Sequence, residues 1–377
     1  MLPFQQPELI TDQLKTLGDI HREDFKNIDE SIRKGFNALE LESVHRIYAL
    51  GDGDSYHSAL STEMAFSEFA KIPYLPISAM RFLEYGADYM PVNFPRDTMV
   101  IGISASEGSA RVVQSLEKAK QVSDKLLVAG LVGKVDSPLA KVADKVLSVQ
   151  IPELGRSPGI RTYTASLMGL INLAIRIGEI KRHYHMEEAN ALRREIVDMA
   201  GMVDATYQAA IEPAQKAAQL FKQAPFVSYA GSGPSFGSAC FSSAKVVEAC
   251  GLFAVAQDLE EWAHVERFAY PLDFPVVIIA PPGKGYWRAF ELAKGVKTLG
   301  HPLMAIIEDG DKDISALADI ILPVKGHVRE AFSPLLYYIS GTAFAYALTK
   351  ALGRSMFMTD NEKVMEVREE MRKQIQG

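Results

Sequence analysis

Short, strongly apolar runs separated by longer mixed stretches set the pattern of this chain. Residues 44–50, 98–103, 125–130 and 145–149 have the length and aliphatic character of strands. Helical spacing marks 55–70 and 109–121 between them and 162–180 after the last. The strand pattern returns at 226–230, 253–257, 276–280, 303–308 and 320–323. Strands that are apolar throughout are covered on both faces, and strands alternating with helices form parallel sheets. The expectation is an α/β chain with two mainly parallel sheets in tandem, each flanked by helices. Right-handed crossovers gather the strand-exit loops of each sheet along one edge.

Around these halves the polar pattern changes. Residues 1–40 form a helical leader in which Leu9, Ile10, Leu14, Leu17, Ile20, Phe25, Ile28, Ile32 and Phe36 punctuate many charges. That amphipathic stripe predicts a packing or dimerisation element. The first α/β domain then runs over 41–195, a charge-rich helical connector over 196–222, and the second domain over 223–355. A charged tail, 356–377, is read as helical between 362 and 374. No low-complexity segment interrupts this order.

One loop occurs twice. Residues 51–59 read Gly-Asp-Gly-Asp-Ser-Tyr-His-Ser-Ala, and 180 positions later 231–239 read Gly-Ser-Gly-Pro-Ser-Phe-Gly-Ser-Ala. Each copy follows an apolar run and precedes a helix, so one strand–loop–helix unit is used twice. A second serine-rich loop, Ser104-Ala105-Ser106-Glu107-Gly108-Ser109, follows the second predicted strand. Ser104, Ser106 and Ser109 can surround a common point, with Ser55 as a fourth hydroxyl, while Gly108 permits a tight turn. The helix that follows aims free amides and its positive dipole end at a bound anion. The lysine of a P-loop is absent, and Tyr56 stands where a dinucleotide fingerprint needs glycine. A small anion, such as a sugar phosphate, fits these loops. The competing reading is that the serines only cap helices and satisfy turn amides.

Composition narrows the class of partner. The chain has 377 residues, 48% hydrophobic and 23% charged, with a formal net charge of −7. That acidity disfavours nucleic acid, whose binding needs concentrated positive charge. Cys240 and Cys250, ten positions apart on one predicted helix, stand about 15 Å apart and are expected as reduced thiols. No basic and apolar signal segment opens the chain, and the most apolar helix is too short to span a bilayer. A cytoplasmic protein without membrane association is expected. The histidines at 183, 185, 301 and 327 lack metal-ligand spacing, so neither metal nor other cofactor is expected.

Four motifs in order resemble the sugar isomerase (SIS) family. They are Gly53-Asp54-Ser55-Tyr56-His57, the 104–109 loop, Ser157-Pro158-Gly159-Ile160-Arg161-Thr162-Tyr163-Thr164, and Glu248 followed sixteen positions later by His264. The match covers roughly 41–355 in a double-domain layout similar to the isomerase part of glucosamine-6-phosphate synthase and to phosphosugar deaminases and deglycases. The resemblance implies two SIS domains and a phosphate held by Ser55, Ser104, Ser106 and Ser109, with Thr162 beside the sugar. It also implies a catalytic Glu248 with Lys245 nearby, and a ring-opening His264 that relatives supply from the neighbouring subunit, hence a homodimer. Glu107 and the Val265-Glu266 pair depart from the pattern of relatives. An amidotransferase domain, which precedes the isomerase region in the synthases, is not expected here, which disfavours amination driven by glutamine.

The residues suit that chemistry. A carboxylate whose affinity for protons is raised by partial burial can take a proton from one sugar carbon and return it to the next. Glu248 lies in the apolar run Val246-Val247-Glu248-Ala249-Cys250, and Lys245 shares its helical face. A solvated surface pair is the plain alternative. His264 can exchange protons with a ring oxygen or a leaving amine. Arg161 can meet phosphate or a substrate carboxylate, and Arg329 or Glu330 can recognise the amino-acid part of a larger substrate. The expected reaction is deamination or deglycation of an aminosugar or sugar–amino-acid phosphate through an enediol or enolamine. The alternatives are aldose–ketose isomerisation and a nonenzymatic phosphosugar-binding regulator.

Overall fold

The computed structural model describes residues 6–105, 109–155 and 157–376. Its contacts divide into two compact units, one of Asp19–Pro152 with Arg161–Ala200, the other of residues up to Gly18, Glu153–Ile160 and those from Gly201 onward. Each unit holds one five-stranded sheet.

The first sheet comprises β1 (Arg46–Gly51), β2 (Tyr74–Ser78), β3 (Thr98–Ser104), β4 (Leu127–Val132) and β5 (Lys145–Ser148), ordered β2-β1-β3-β4-β5. All pairings are parallel, with Ala49 opposite both Pro76 and Ile101. Every residue of β3 and β4 is buried, as uniformly apolar central strands require. The sequence pattern missed β2 because Pro76 sits inside it. At a sheet edge the missing proline N–H leaves no ladder bond unmade.

Leu50, Phe82, Val100, Val112, Leu116 and Val128 pack in one core of this unit. The helix Arg161–Ile180 buries sixteen of its twenty residues. A helix covered nearly all round is apolar nearly all round, which explains the mostly apolar run Leu167–Ile177 within this one. Two of its polar side chains, Asn172 and Glu179, tie it to neighbouring helices. Asn172 Nδ2 donates to Asp29 Oδ1 at 2.9 Å, while Arg193 donates to Asn172 Oδ1 at 3.1 Å and Glu179 Oε2 at 2.7 Å. These bonds fasten a leader helix, Phe25–Gly35, and the helix Met186–Asp198 to it.

The second sheet comprises β6 (Val227–Ala230), β7 (Ala254–Gln257), β8 (Val276–Ala280), β9 (Leu303–Glu308) and β10 (Ile320–Val324), ordered β10-β9-β8-β6-β7. Read from β7, this is the order of the first sheet, again all parallel. The tandem arrangement expected from the sequence is present. Trp262, Phe274, Ile278, Leu292, Val296 and Leu303 share its core, and Trp262 Nε1 donates to Ser228 Oγ at 2.9 Å. The helix Pro234–Cys250 packs against Tyr338–Leu352.

Eight of the nine apolar leader positions are buried within the single chain, and Leu9 is half-buried. The stripe is therefore a packing element. In the second unit Gln13 bonds Ser157, donates to the Pro158 carbonyl at 3.1 Å and accepts from the Ile160 amide at 3.0 Å. Cys240 and Cys250 are free thiols, and burial pushes the Cys240 thiol up to about 12. Among the described residues, no helix is long and apolar enough to cross a membrane.

Candidate functional site

In a sheet of this order, the first and third strands run side by side while their connections depart to opposite faces. The crevice at their carboxyl ends is where such folds receive ligands. In the first sheet this crevice lies between the exits of β1 and β3. Gly53 takes φ 52° and ψ −126°, a backbone conformation closed to side chains, and the helix Asp54–Ala65 starts at the next residue. Asp52 brackets the edge. Its Oδ2 accepts from Ser109 Oγ at 2.6 Å and its Oδ1 from the Ala79 amide at 3.3 Å. Ser55 stands half-buried in the first turn of its helix, Ser104 is buried at the end of β3, and Ser109 occupies the N-cap of the helix Ala110–Val122. Ser106, with Glu107 and Gly108, lies outside the described residues. Three candidate serines thus flank one crevice. The sequence reading missed that Ser109 gives its proton to Asp52.

Arg161 opens the central helix almost fully buried, with Nη2 3.8 Å from Asp24 Oδ2. Burial raises the Asp24 carboxyl from its usual range, against the pull of this guanidinium. Thr162 is half-buried beside it. Arg161 therefore faces a carboxylate of the chain itself.

Lys245 and Glu248 lie in the helix Pro234–Cys250. Lys245 is 1% exposed and its ammonium bonds the Glu248 carboxylate, which is 32% exposed. The same Nζ stands 4.7 Å from the centroid of the Phe241 ring, which meets Tyr338 edge-on at 5.2 Å. Taking an ammonium out of water costs several kcal/mol unless a partner and a polarisable surface compensate. This pair is not the solvated surface pair of the plain alternative. It presents a half-open carboxylate on a buried cation. His264 ends the helix Leu259–His264 with its side chain 66% exposed, and its Nε2 lies 3.1 Å from Glu260 Oε1. Glu260 also accepts from Arg288 at 2.6 Å. The structure brings Lys245 and Glu248 into contact and engages His264 elsewhere, on another helix.

The second sheet repeats the first crevice with different side chains. Gly233 has φ 57° and ψ −131°, matching Gly53. Ser232 replaces Asp52, and its Oγ accepts from the Leu259 amide at 3.3 Å while donating to Asp258 Oδ2 at 2.5 Å. A cleft there is lined by Ser232, Ser235, Pro281, Tyr286 and Glu330. The Lys284 amide donates to Glu330 Oε2 at 2.9 Å, so this carboxylate has a partner within the chain.

A family profile described as SIS domain matches residues 40–176. Those residues are similar to the SIS domain, and the chain as a whole is similar in sequence to isomerising aminotransferases. It is 26% identical over 328 residues to the glutamine–fructose-6-phosphate aminotransferase [isomerizing] of Mycolicibacterium paratuberculosis, covering 83% of this chain and 50% of that protein. The enzyme of the same description from Aquifex aeolicus is 24% identical over 351 residues, covering 93% and 54%. The chain thus spans about half the length of these relatives. In fold it is similar to the C-terminal domain of glucosamine-fructose-6-phosphate aminotransferase from Francisella tularensis. The TM-score is 0.78 at 14% identity, over 92% of this chain and 96% of that one. Glucosamine-6-phosphate deaminase from Thermotoga maritima gives 0.68 at 17% identity, over 92% and 96%.

Ser55, Ser104, Ser109, Arg161 and Thr162 lie inside the SIS domain match, and Lys245, Glu248 and His264 lie beyond it. The segment matched by the SIS profile places serine hydroxyls at a strand-exit crevice, and the second half places a half-exposed carboxylate on a buried ammonium. Among the described residues, no group of three His, Cys, Asp or Glu side chains is placed to hold a metal ion.

Proposed function

We propose that this chain releases an amine from a phosphorylated aminosugar or sugar–amino-acid adduct through an enolamine. The observation that carries the reading is the Lys245–Glu248 pair, a carboxylate held on a buried ammonium yet open to solvent. Ser55, Ser104, Ser106 and Ser109 hold the phosphate in this reading, with Thr162 beside the sugar. Arg161 keeps its partner Asp24 and orders the start of the central helix.

For a 2-amino aldose phosphate the steps follow from the groups present. Glu248 takes the proton from C2 of the opened sugar, leaving the enolamine, exchanges it with solvent through its open face, and delivers a solvent-derived proton to C1. The product is an imine at C2, which water hydrolyses to the ketose phosphate and ammonia. An amino-acid adduct loses the amino acid by the same hydrolysis. One positioned acid–base group of this kind contributes about 10²- to 10⁴-fold in rate. Lys245 fixes the carboxylate rotamer and stabilises its charge between transfers. His264, with its exposed ring, donates to the ring oxygen or the leaving amine from a second copy of the chain. The relatives described as aminotransferases and as a deaminase support a C–N bond in the substrate, as an analogy of family.

The test is incubation in heavy water with phosphorylated ketoses, aminosugars and sugar–amino-acid adducts, followed by mass spectrometry. Amine release with one deuterium at C1 is expected. Glu248→Gln should keep phosphosugar affinity and lose exchange. Undiminished exchange in that variant removes Glu248 from its role. Deuterium uptake without amine release assigns isomerisation, and saturable binding without turnover assigns a regulator.

A further inference from the structure

We propose that the second sheet carries its own copy of the anion cradle and that the Glu330 carboxylate fills it. Removal of that carboxylate then creates a site for a small tetrahedral anion such as phosphate. The inference rests on reading the first sheet's crevice as a phosphate cradle.

The two crevices share their construction. Gly53 and Gly233 have the same backbone angles. In both, the residue between the glycines accepts the amide that opens the helix after the neighbouring edge strand, Ala79 for Asp52 and Leu259 for Ser232. Ser235 is the repeat partner of Ser55. It lines the cleft at 3% exposure, and its Oγ has no hydrogen-bond partner. A buried hydroxyl left unpaired is costly, and a ligand oxygen at this place would satisfy it.

The loop between β8 and the helix Tyr286–Leu299 corresponds to the serine loop after β3. There the Lys284 amide donates to Glu330 Oε2, the interaction a phosphate oxygen makes at such a helix start. The fit is close. A Cβ on Gly283 would collide with the Glu330 carboxylate, so glycine is what lets the carboxylate seat. Glu330 lies 46 positions from Lys284 and enters from the segment after β10. Glu248 is no part of this arrangement. It lies thirteen residues beyond Ser235 on one helix, about 20 Å away along its axis. Asp258, next to Ser232, is engaged by the Ser232 hydroxyl and the Glu260 amide, and Asp311 accepts from the Tyr286 hydroxyl.

Calorimetric titration of the full-length chain with inorganic phosphate counts the sites. Glu330→Ala should bind one more phosphate per chain than the unsubstituted protein. Adding Ser235→Ala should weaken the new site about fivefold to tenfold. Glu330→Ser likewise vacates the cradle and frees the Lys284 amide. It carries the same count if the alanine variant does not fold, with the thermal midpoint checking its integrity. Equal stoichiometry in a folded Glu330 variant overturns the proposal, as does an added site that ignores Ser235. The site is counted by difference. No phosphate in the unsubstituted chain but one in Glu330→Ala would refute the first cradle and keep the second.

Discussion

The two sheets have the same strand order and the same glycine conformation after their first strands, yet they present different chemistry. At the exit edge the first copy has Asp52 and the second Ser232. Each takes the same backbone amide, but Asp52 draws in Ser109 while Ser232 leans on Asp258. At the far end of the first helix the difference reverses. Position 248 corresponds by the 180-residue offset to Glu68, and position 245 to Ala65. Both copies keep a glutamate, and only the second sets a buried lysine beneath it. The shared strand order fixes where side chains stand, and single replacements give the two sheets different groups at matching positions.

The sharpest break between the copies is at the glutamates. Glu248→Gln should lower carbon–proton exchange about 10²- to 10⁴-fold, while Glu68→Gln leaves the rate unchanged, both followed by deuterium uptake. Lys245→Ala comes next. It removes one partner of a buried pair and opens a cavity, and the expected loss is about 3 kcal/mol of unfolding free energy. Denaturant titration measures it, and a loss below about 1 kcal/mol would mean that the pair is solvated after all.

Two glycine substitutions test the likeness itself. A Cβ meets no atom within 4 Å at Gly53 or Gly233, so Gly53→Ala and Gly233→Ala should each cost only the conformational penalty of positive φ. With ψ of −126° and −131° both lie outside the left-handed helical well, and the penalty is about 1–3 kcal/mol for either copy. Clearly unequal thermal shifts would show that the loops are not equivalent. The smallest effect expected is on ligand affinity. Ser55→Ala should weaken phosphosugar binding about fivefold, and Ser235→Ala should leave it unchanged in the otherwise native chain.

Acidity offers one further contrast. Glu40 is buried, and this raises its proton affinity, but the Lys145 hydrogen bond at 2.9 Å, the Asn37 amide and Arg96 outweigh burial and hold its pKa below the usual value. A depressed folded pKa stabilises above the unfolded value and is lost as pH falls through the folded one. Stability of the first unit should therefore decline below about pH 4.5. Glu40→Gln should flatten that decline in an acid titration of the unfolding midpoint.

Much of this fold was written in local patterns. Central strands such as 98–103 and 276–280 are apolar throughout because both faces are covered, so they stand out, whereas β2 hides behind Pro76 at an edge. The serine loops and the spacing of Lys245 and Glu248 were equally legible. What spacing leaves open is depth, and the burial of Lys245 depends on Phe241 and its packing against Tyr338, nearly a hundred positions away. The Asp52–Ser109 and Lys284–Glu330 bonds join residues 57 and 46 positions apart. Such partners meet only after the crossovers are made, and Glu330, read as a substrate contact, instead meets its own chain.

The grip of Gln13 on residues 157–160 has a practical corollary. Both the leader's first helix and this short segment belong to the unit that otherwise begins at Gly201, although the polypeptide visits the other sheet between them. A gene cut near codon 200 would strand two pieces of one body on the other. Neither unit can be excised as one continuous thread, since each is interrupted in the polypeptide by residues of the other.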